Sequence, residues 1–170
     1  MNCQPTLEDD FVILTPLQQN DFEELLTVAS DPLIWQQHPN PDRWKRDVFR
    51  TYFDGALASN GAFMIRHKTN GKAIGSTRFY DHDANASEIK IGYTFFSRDQ
   101  WGSGTNQRVK RLMLDYAFPH VKQVIFYVGA QNLRSRIAMQ RLGAELIGEE
   151  DVAYFGESPK RNVVFRITAR

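Results

Sequence analysis

A chain of 170 residues with 42% apolar and 24% charged side chains has the length and balance of one globular domain with a single substantial core. A net charge of +1 removes any polyelectrolyte argument for nucleic acid or an anionic membrane, and no apolar run approaches the ~20 residues of a membrane span. Cys3 stands alone, so no internal disulfide is available, and the absence of CxxC and HExxH spacings argues against a metal site.

The amino-terminal MNCQPTLEDD has neither a basic n-region nor an apolar h-region, so no secretory signal is expected and a cytoplasmic setting is inferred. Residues 11–15 (FVILT) read as a first strand. Between Gln19 and Ser30, Phe22, Leu25, Leu26 and Ala29 recur at i, i+3, i+4 and i+7, which predicts an amphipathic helix that Asp31-Pro32 ends. LIWQQHPNPDRW is interrupted by Pro39 and Pro41 and reads mostly as loop, followed by a helix from about Arg43 to Ser59. Asn60-Gly61 marks a turn before the strand GAFMIRHK, and Asn70-Gly71 joins it to KAIGSTRFYD as a hairpin. Polar HDANAS leads into the next strand.

In EIKIGYTFFS, beginning at Glu88, the alternation places Ile89, Ile91, Tyr93 and Phe95 on one side and Glu88, Lys90, Gly92, Thr94 and Phe96 on the other. Gly102 and Gly104 then precede a helix in which Val109, Leu112, Met113, Tyr116 and Ala117 recur at helical spacing. A strand leading through a glycine loop into a helix aims backbone N–H groups and the positive end of the helix dipole at one spot, which suits a phosphate. Neither common phosphate motif fits, because no Lys-Ser/Thr follows Gly104 at P-loop spacing and Gln107 stands where a dinucleotide fingerprint needs glycine. Beyond Pro119, QVIFYV reads as a buried strand and Asn132–Leu142 as a short helix with Asn132 as its N-cap, stopped by Gly143. AELIGEEDVAY and RNVVFRIT close the chain as paired strands. With no repeat or linker, the expectation is one α/β domain over residues 1–170, a mixed sheet of about six to seven strands flanked by about four helices.

Two blocks, WGSGTNQRVKRLMLDYAF and QNLRSRIAMQRLGAELIGE, one strand apart, resemble the GCN5-related N-acetyltransferases. The likeness is closest to their ribosomal-protein alanine N-acetyltransferase branch and is clear over roughly residues 73–168. It implies the acyl-CoA N-acyltransferase fold and acetyl-CoA as cosubstrate. By that resemblance, backbone amides of Gly102, Ser103, Gly104, Thr105, Asn106 and Gln107 would hold the cofactor's pyrophosphate. Phe95, Phe96 and Ser97 would run beside the pantetheine as an added strand, Asn132 would bond the arm near the sulfur, and Ser135 would lie close to the departing thiolate. A bulge would help the flanking strands splay apart.

The chain departs from the family pattern in two places. Asn106 occupies a position commonly Gly or Ala, and Lys90 stands where many relatives carry a glutamate. Glu88, two residues earlier on the same strand face, is the candidate general base. The acceptor implied is a primary amine, either a protein α-amine or a small molecule. The alternative is a non-catalytic acyl-CoA-binding or regulatory module. His38, His67, His82 and His120 lie in separate segments without ligand spacing and are expected as surface or loop residues rather than catalysts, while Arg108, Lys110, Arg134 and Arg136 form an expected basic rim. Trp35 and Trp44 are candidates for lining the acceptor site, and the last hairpin could pair across a twofold axis as a homodimer.

Overall fold

The computed structural model describes residues 1–169. Eight strands form one sheet: β1 (Leu7–Glu8), β2 (Val12–Pro16), β3 (Ala62–His67), β4 (Ala73–Asp83), β5 (Glu88–Phe96), β6 (Gln123–Gly129), β7 (Glu145–Val152) and β8 (Lys160–Thr168). Five helices accompany them: α1 (Phe22–Ala29), α2 (Pro32–Trp35), α3 (Arg46–Ala58), α4 (Thr105–Ala117) and α5 (Leu133–Arg141). The sheet runs β1-β2-β3-β4-β5-β6-β8-β7. Every neighbouring pair is antiparallel except β5 and β6, which the α4 crossover makes parallel. The α/β mixed sheet is as expected, with one strand more than the upper count. The extra strand is β1, a two-residue pairing of Leu7 and Glu8 with Leu14 and Ile13, too short to leave an alternation in the sequence.

Two cores lie on opposite faces of the sheet. Phe22, Leu25, Leu26 and Ala29, the four predicted contacts of α1, are all buried with α2 and α3 on one face. Val109, Met113 and Ala117 of α4 are fully buried on the other, with Leu112 and Tyr116 packed partly against them. The segment after α1 corrects the loop expectation. Asp31 accepts a hydrogen bond from the Leu33 N–H and Pro32 occupies the first helical position, so the dipeptide that ends α1 also starts the single turn α2.

The alternation of β5 breaks at Tyr93. Ser76 of β4 faces Phe95 while Arg78 faces Gly92, so Thr77 opposes two residues, Tyr93 and Thr94. Tyr93 takes a φ of +54°. Downstream of this bulge the faces exchange: Ile89, Ile91 and Phe96 join the core beneath α4, while Phe95, with Tyr93 against it, joins the core beneath α3.

Candidate active site

β5 and β6 pair only at Glu88–Gln123, Ile89–Val124 and Lys90–Ile125. Beyond Lys90 they diverge, and the far end of β6 is held instead by β8, up to Gly129 opposite Asn162. Between the diverging strands lies a cavity of about 660 Å³, bordered by Ile91–Phe96, Phe126–Gly129, the loop before α4 and the start of α5.

The loop is built by its glycines. Gly102 and Gly104 have φ of +74° and +83°, and a Cβ added to either meets nothing within 4 Å, so the backbone conformation alone calls for glycine. Gly104 is the N-cap of α4, and its left-handed conformation turns the chain into the helix. Ser103 Oγ donates to Gln100 O, and Thr105 Oγ1 donates to Gln100 Oε1 at 3.1 Å, which closes the loop on itself.

Gly102, Gly104, Asn106, Gln107, Phe95, Phe96, Asn132 and Ser135 all border the cavity, so the structure gathers most of the expected cofactor residues and one expected catalytic residue in one place. Asn132 is 7% exposed and caps α5, its Oδ1 accepting from the Ser135 N–H at 3.2 Å, which leaves its amide nitrogen as a donor. Ser97, Ser103 and Thr105 stand outside the lining: Ser97 turns its hydroxyl to Asp99, and the other two brace the loop.

Glu88 is not brought to the cleft. It lies in the paired stretch of β5, ahead of the divergence, and its carboxylate accepts from Gln123 Nε2 at 2.8 Å. Lys90 also stays behind the divergence. It pairs with Asp81 at 2.9 Å in a neighbouring cavity of about 340 Å³ that shares Tyr93, Tyr127 and Tyr154 with the first. Among the described residues no Asp or Glu borders the larger cavity.

The opposite end of the cleft is built by residues with no motif. Trp35 is 2% exposed, anchored by its indole N–H to Ala29 O at 2.8 Å, whereas Trp44 is half-exposed and outside the lining. Arg43 is fully buried among the rings of Trp35, Tyr52 and Tyr154 and is paired at 2.9 Å with Glu157. His38 lies in the loop between α2 and α3, as one of the two expected placements, but borders the cleft, and burial, reinforced by the Arg43 guanidinium, holds its pKa well below 6.5. Tyr154 donates its hydroxyl to Asn162 Oδ1 at 2.8 Å, and burial lifts its pKa to about 12. The Tyr93 carbonyl at the bulge accepts from Tyr52 Oη at 2.7 Å. The basic rim also needs correction. Lys110 is buried, Arg108 pairs with Asp9, Arg136 bonds Ala130 O, and Arg134 lines the cleft stacked 3.7 Å over Trp101.

A signal for these residues existed in part. Arg43 and Tyr154 are separated by over a hundred positions, so only the folded sheet assembles them; the Pro39/Pro41 segment and its tryptophan were the visible hint.

The fold has known counterparts. A GCN5-related N-acetyltransferase from Brucella melitensis superposes with a TM-score of 0.83 at 20% identity, over 97% of this chain and 79% of that one. A protein of Vibrio cholerae provisionally described as a ribosomal-protein-serine acetyltransferase gives 0.77 at 15%, over 99% and 100%. The microcin C7 self-immunity acetyltransferase MccE, solved with acetyl-CoA and AMP, gives 0.76 at 14%, over 95% and 94%. At these identities the likeness speaks for the fold. No curated protein matches the sequence. The acetyltransferase (GNAT) domain model, however, matches residues 12–145, from the second strand to the start of the seventh, and the chain therefore belongs to the GNAT acetyltransferase family.

Proposed function

We propose that this acetyltransferase is an acetyl-CoA-dependent N-acetyltransferase that passes the acetyl group directly to a primary amine. The observation that carries the reading is the divergence of β5 from β6 into a cavity whose floor is the glycine loop at the N-terminus of α4. The loop amides and the helix dipole suit the diphosphate of acetyl-CoA, and the unpaired side of β5 beyond Lys90 suits the pantetheine amides as an added strand. Asn132 would hold the arm near the sulfur, with Ser135 one turn along the same helix start beside the thiolate. The residues present fit the cofactor, which supplies the activated thioester.

In the transfer a bond forms between the amine nitrogen and the acetyl carbon, the carbon–sulfur bond breaks, and the proton lost by nitrogen matches the one gained by sulfur. The peptide between Tyr93 and Thr94 is turned by the bulge, and its carbonyl is already taken by Tyr52. Because a trans peptide sets C=O and N–H on opposite sides, this fixes the direction of the Thr94 N–H, our candidate oxyanion donor. Glu88 is not retained as the base, since it lies outside the cleft. With no carboxylate in the lining, an acceptor that is partly neutral on its own is favoured. An α-amine with a pKa of about 8 is roughly a tenth deprotonated at neutral pH, whereas a lysine near 10.4 is far less so. The acceptor is accordingly a protein N-terminus or a small amine of low basicity. The ribosomal-protein N-terminal acetyltransferase branch is the nearest description, and a cytoplasmic setting and homodimerisation through the exposed β7 strand complete the reading. Sedimentation that returns only monomer would remove the last element.

The second reading, an acyl-CoA-binding module without turnover, draws on the same carboxylate-free lining. Calorimetric titration with acetyl-CoA, beside a Gly104→Glu variant, tests the shared cofactor site: micromolar binding by wild type, lost in a folded variant, is expected. Failure of wild type to bind ends both readings. Turnover on a panel of α-amines and small amines then separates transferase from binding module.

A further inference from the structure

Lys110 is the one charged side chain of α4 that the fold turns inward; Arg108, Arg111 and Asp115 on the same helix are exposed. It is 3% exposed, yet no carboxylate accompanies it. Its Nζ lies 2.5 Å from Thr94 Oγ1 and 3.2 Å from Thr77 Oγ1, and the two hydroxyls are 2.8 Å apart. The two hydroxyls take both N–H donors of a neutral amine and leave only its lone pair free. An ammonium has three N–H groups and would have one left over.

The surroundings favour the neutral form. β4 and β5 present Thr77 and Thr94, α4 itself contributes Met113 beside Thr77, and the other ionisable groups that border the cavity from the α5 side are Arg134 and Arg141. Burial accordingly brings the amine down to about pH 7. A leucine or methionine would fill the same volume without that desolvation cost. Lys110 nonetheless borders the cleft, on the same helical face as Asn106 and Gln107, which stand one turn nearer the glycine loop.

We propose that Lys110 is the buried counter-charge of the acyl-CoA diphosphate, and that the ligand binds together with one proton, which the Lys110 amine takes up. The inference rests on the acyl-CoA reading above. A diphosphate on the loop amides stands about one to two helical turns from Lys110, roughly 5–11 Å. At an effective dielectric of about 20, each of its charges favours the ammonium by about one to two pH units. The threonine pair positions the amine in both states, and the third N–H of the ammonium faces the cleft.

Calorimetry of CoA binding at pH 8, in buffers of contrasting ionisation enthalpy, counts the protons taken up. The cofactor's own phosphate is already ionised at that pH, so the count belongs to the protein. Wild type should take up roughly 0.7–0.9 proton per CoA, and its affinity should fall by up to about tenfold per pH unit above pH 7.5. Lys110→Met, shown folded by its melting transition, should bind more weakly at pH 7, without uptake and with a flat profile over the same range. S-acetylpantetheine, which lacks the diphosphate, should bind wild type without uptake; this arm needs no variant. Equal uptake by wild type and Lys110→Met, no uptake by wild type, or undiminished uptake with S-acetylpantetheine overturns the proposal. Failure of wild type to bind CoA at all is a separate result, and ends the acyl-CoA reading and this inference together.

Discussion

His38 shows how burial rather than residue type sets chemistry at the scale of one side chain. A histidine near 6.5 is a ready proton shuttle in water. Here burial and then Arg43 keep the ring neutral, so it serves as a wall of the cleft and a hydrogen-bond acceptor for the Asn40 N–H at 3.0 Å. The consequence for stability has a definite sign. Below about pH 6.5 the unfolded chain takes up a proton that the folded ring refuses, so stability falls as pH falls; above that pH the contribution is constant. Urea unfolding of wild type and His38→Gln from pH 7.5 to about 5 should show the shallower acid loss in the variant. The difference is bounded by ~1.4 kcal/mol per pH unit. Parallel pH profiles would mean that folding leaves the pKa of the ring unchanged. Its ring meets Trp35 and Arg43 from its own segment and Tyr154 from a distant one, and no local pattern marks that meeting.

At the scale of the element, β5 is the decisive one. Its composition announced a strand, and the period-two pattern was right as far as Gly92. The bulge at Tyr93 then exchanged the faces of Phe95 and Phe96, and a one-residue insertion of this kind leaves no mark in an apolar run where both neighbours are phenylalanine. A tyrosine at φ +54° is held there against its preference, and the Tyr52 hydroxyl on the Tyr93 carbonyl is one of the groups that hold it. Tyr52→Phe should cost about 1 kcal/mol of stability, the loss of one buried hydrogen bond, and should lower kcat more than it changes acetyl-CoA affinity. Unchanged kcat in the variant would show that the bulge peptide is fixed without Tyr52. The loop before α4 contrasts with β5, since its two glycines were legible because the left-handed backbone excludes most alternatives.

For the whole molecule, the acceptor end of the cleft depends on a contact between distant segments. Arg43, on the approach to α3, meets Glu157 in the connection between β7 and β8, and Asn40 donates to the same carboxylate. The arginine side chain is 2% and the glutamate 12% exposed, so neither charge is screened by water when its partner is removed. Glu157→Ala should therefore destabilise the protein by roughly 3 kcal/mol, read from the urea midpoint. It should also raise KM for the amine while leaving acetyl-CoA affinity unchanged, since the loop before α4 is built without it. Equal weakening of both substrates would indicate that the two ends of the cleft are not independent.

The sequence by itself determined the α/β class, the helices with a continuous apolar stripe, the hairpin at Asn70-Gly71, the glycine loop and the Asn132 cap. Each of these is fixed by local physics: side-chain periodicity, backbone sterics or a hydrogen bond within three residues. Only the tertiary structure decided that Glu88 stays in the paired part of β5, that Tyr93 turns at a bulge, that Lys110 is buried, and that Arg43, Tyr154 and Glu157 meet. Those outcomes depend on register, on where two parallel strands part, and on contacts across more than a hundred residues, none of which a linear pattern encodes.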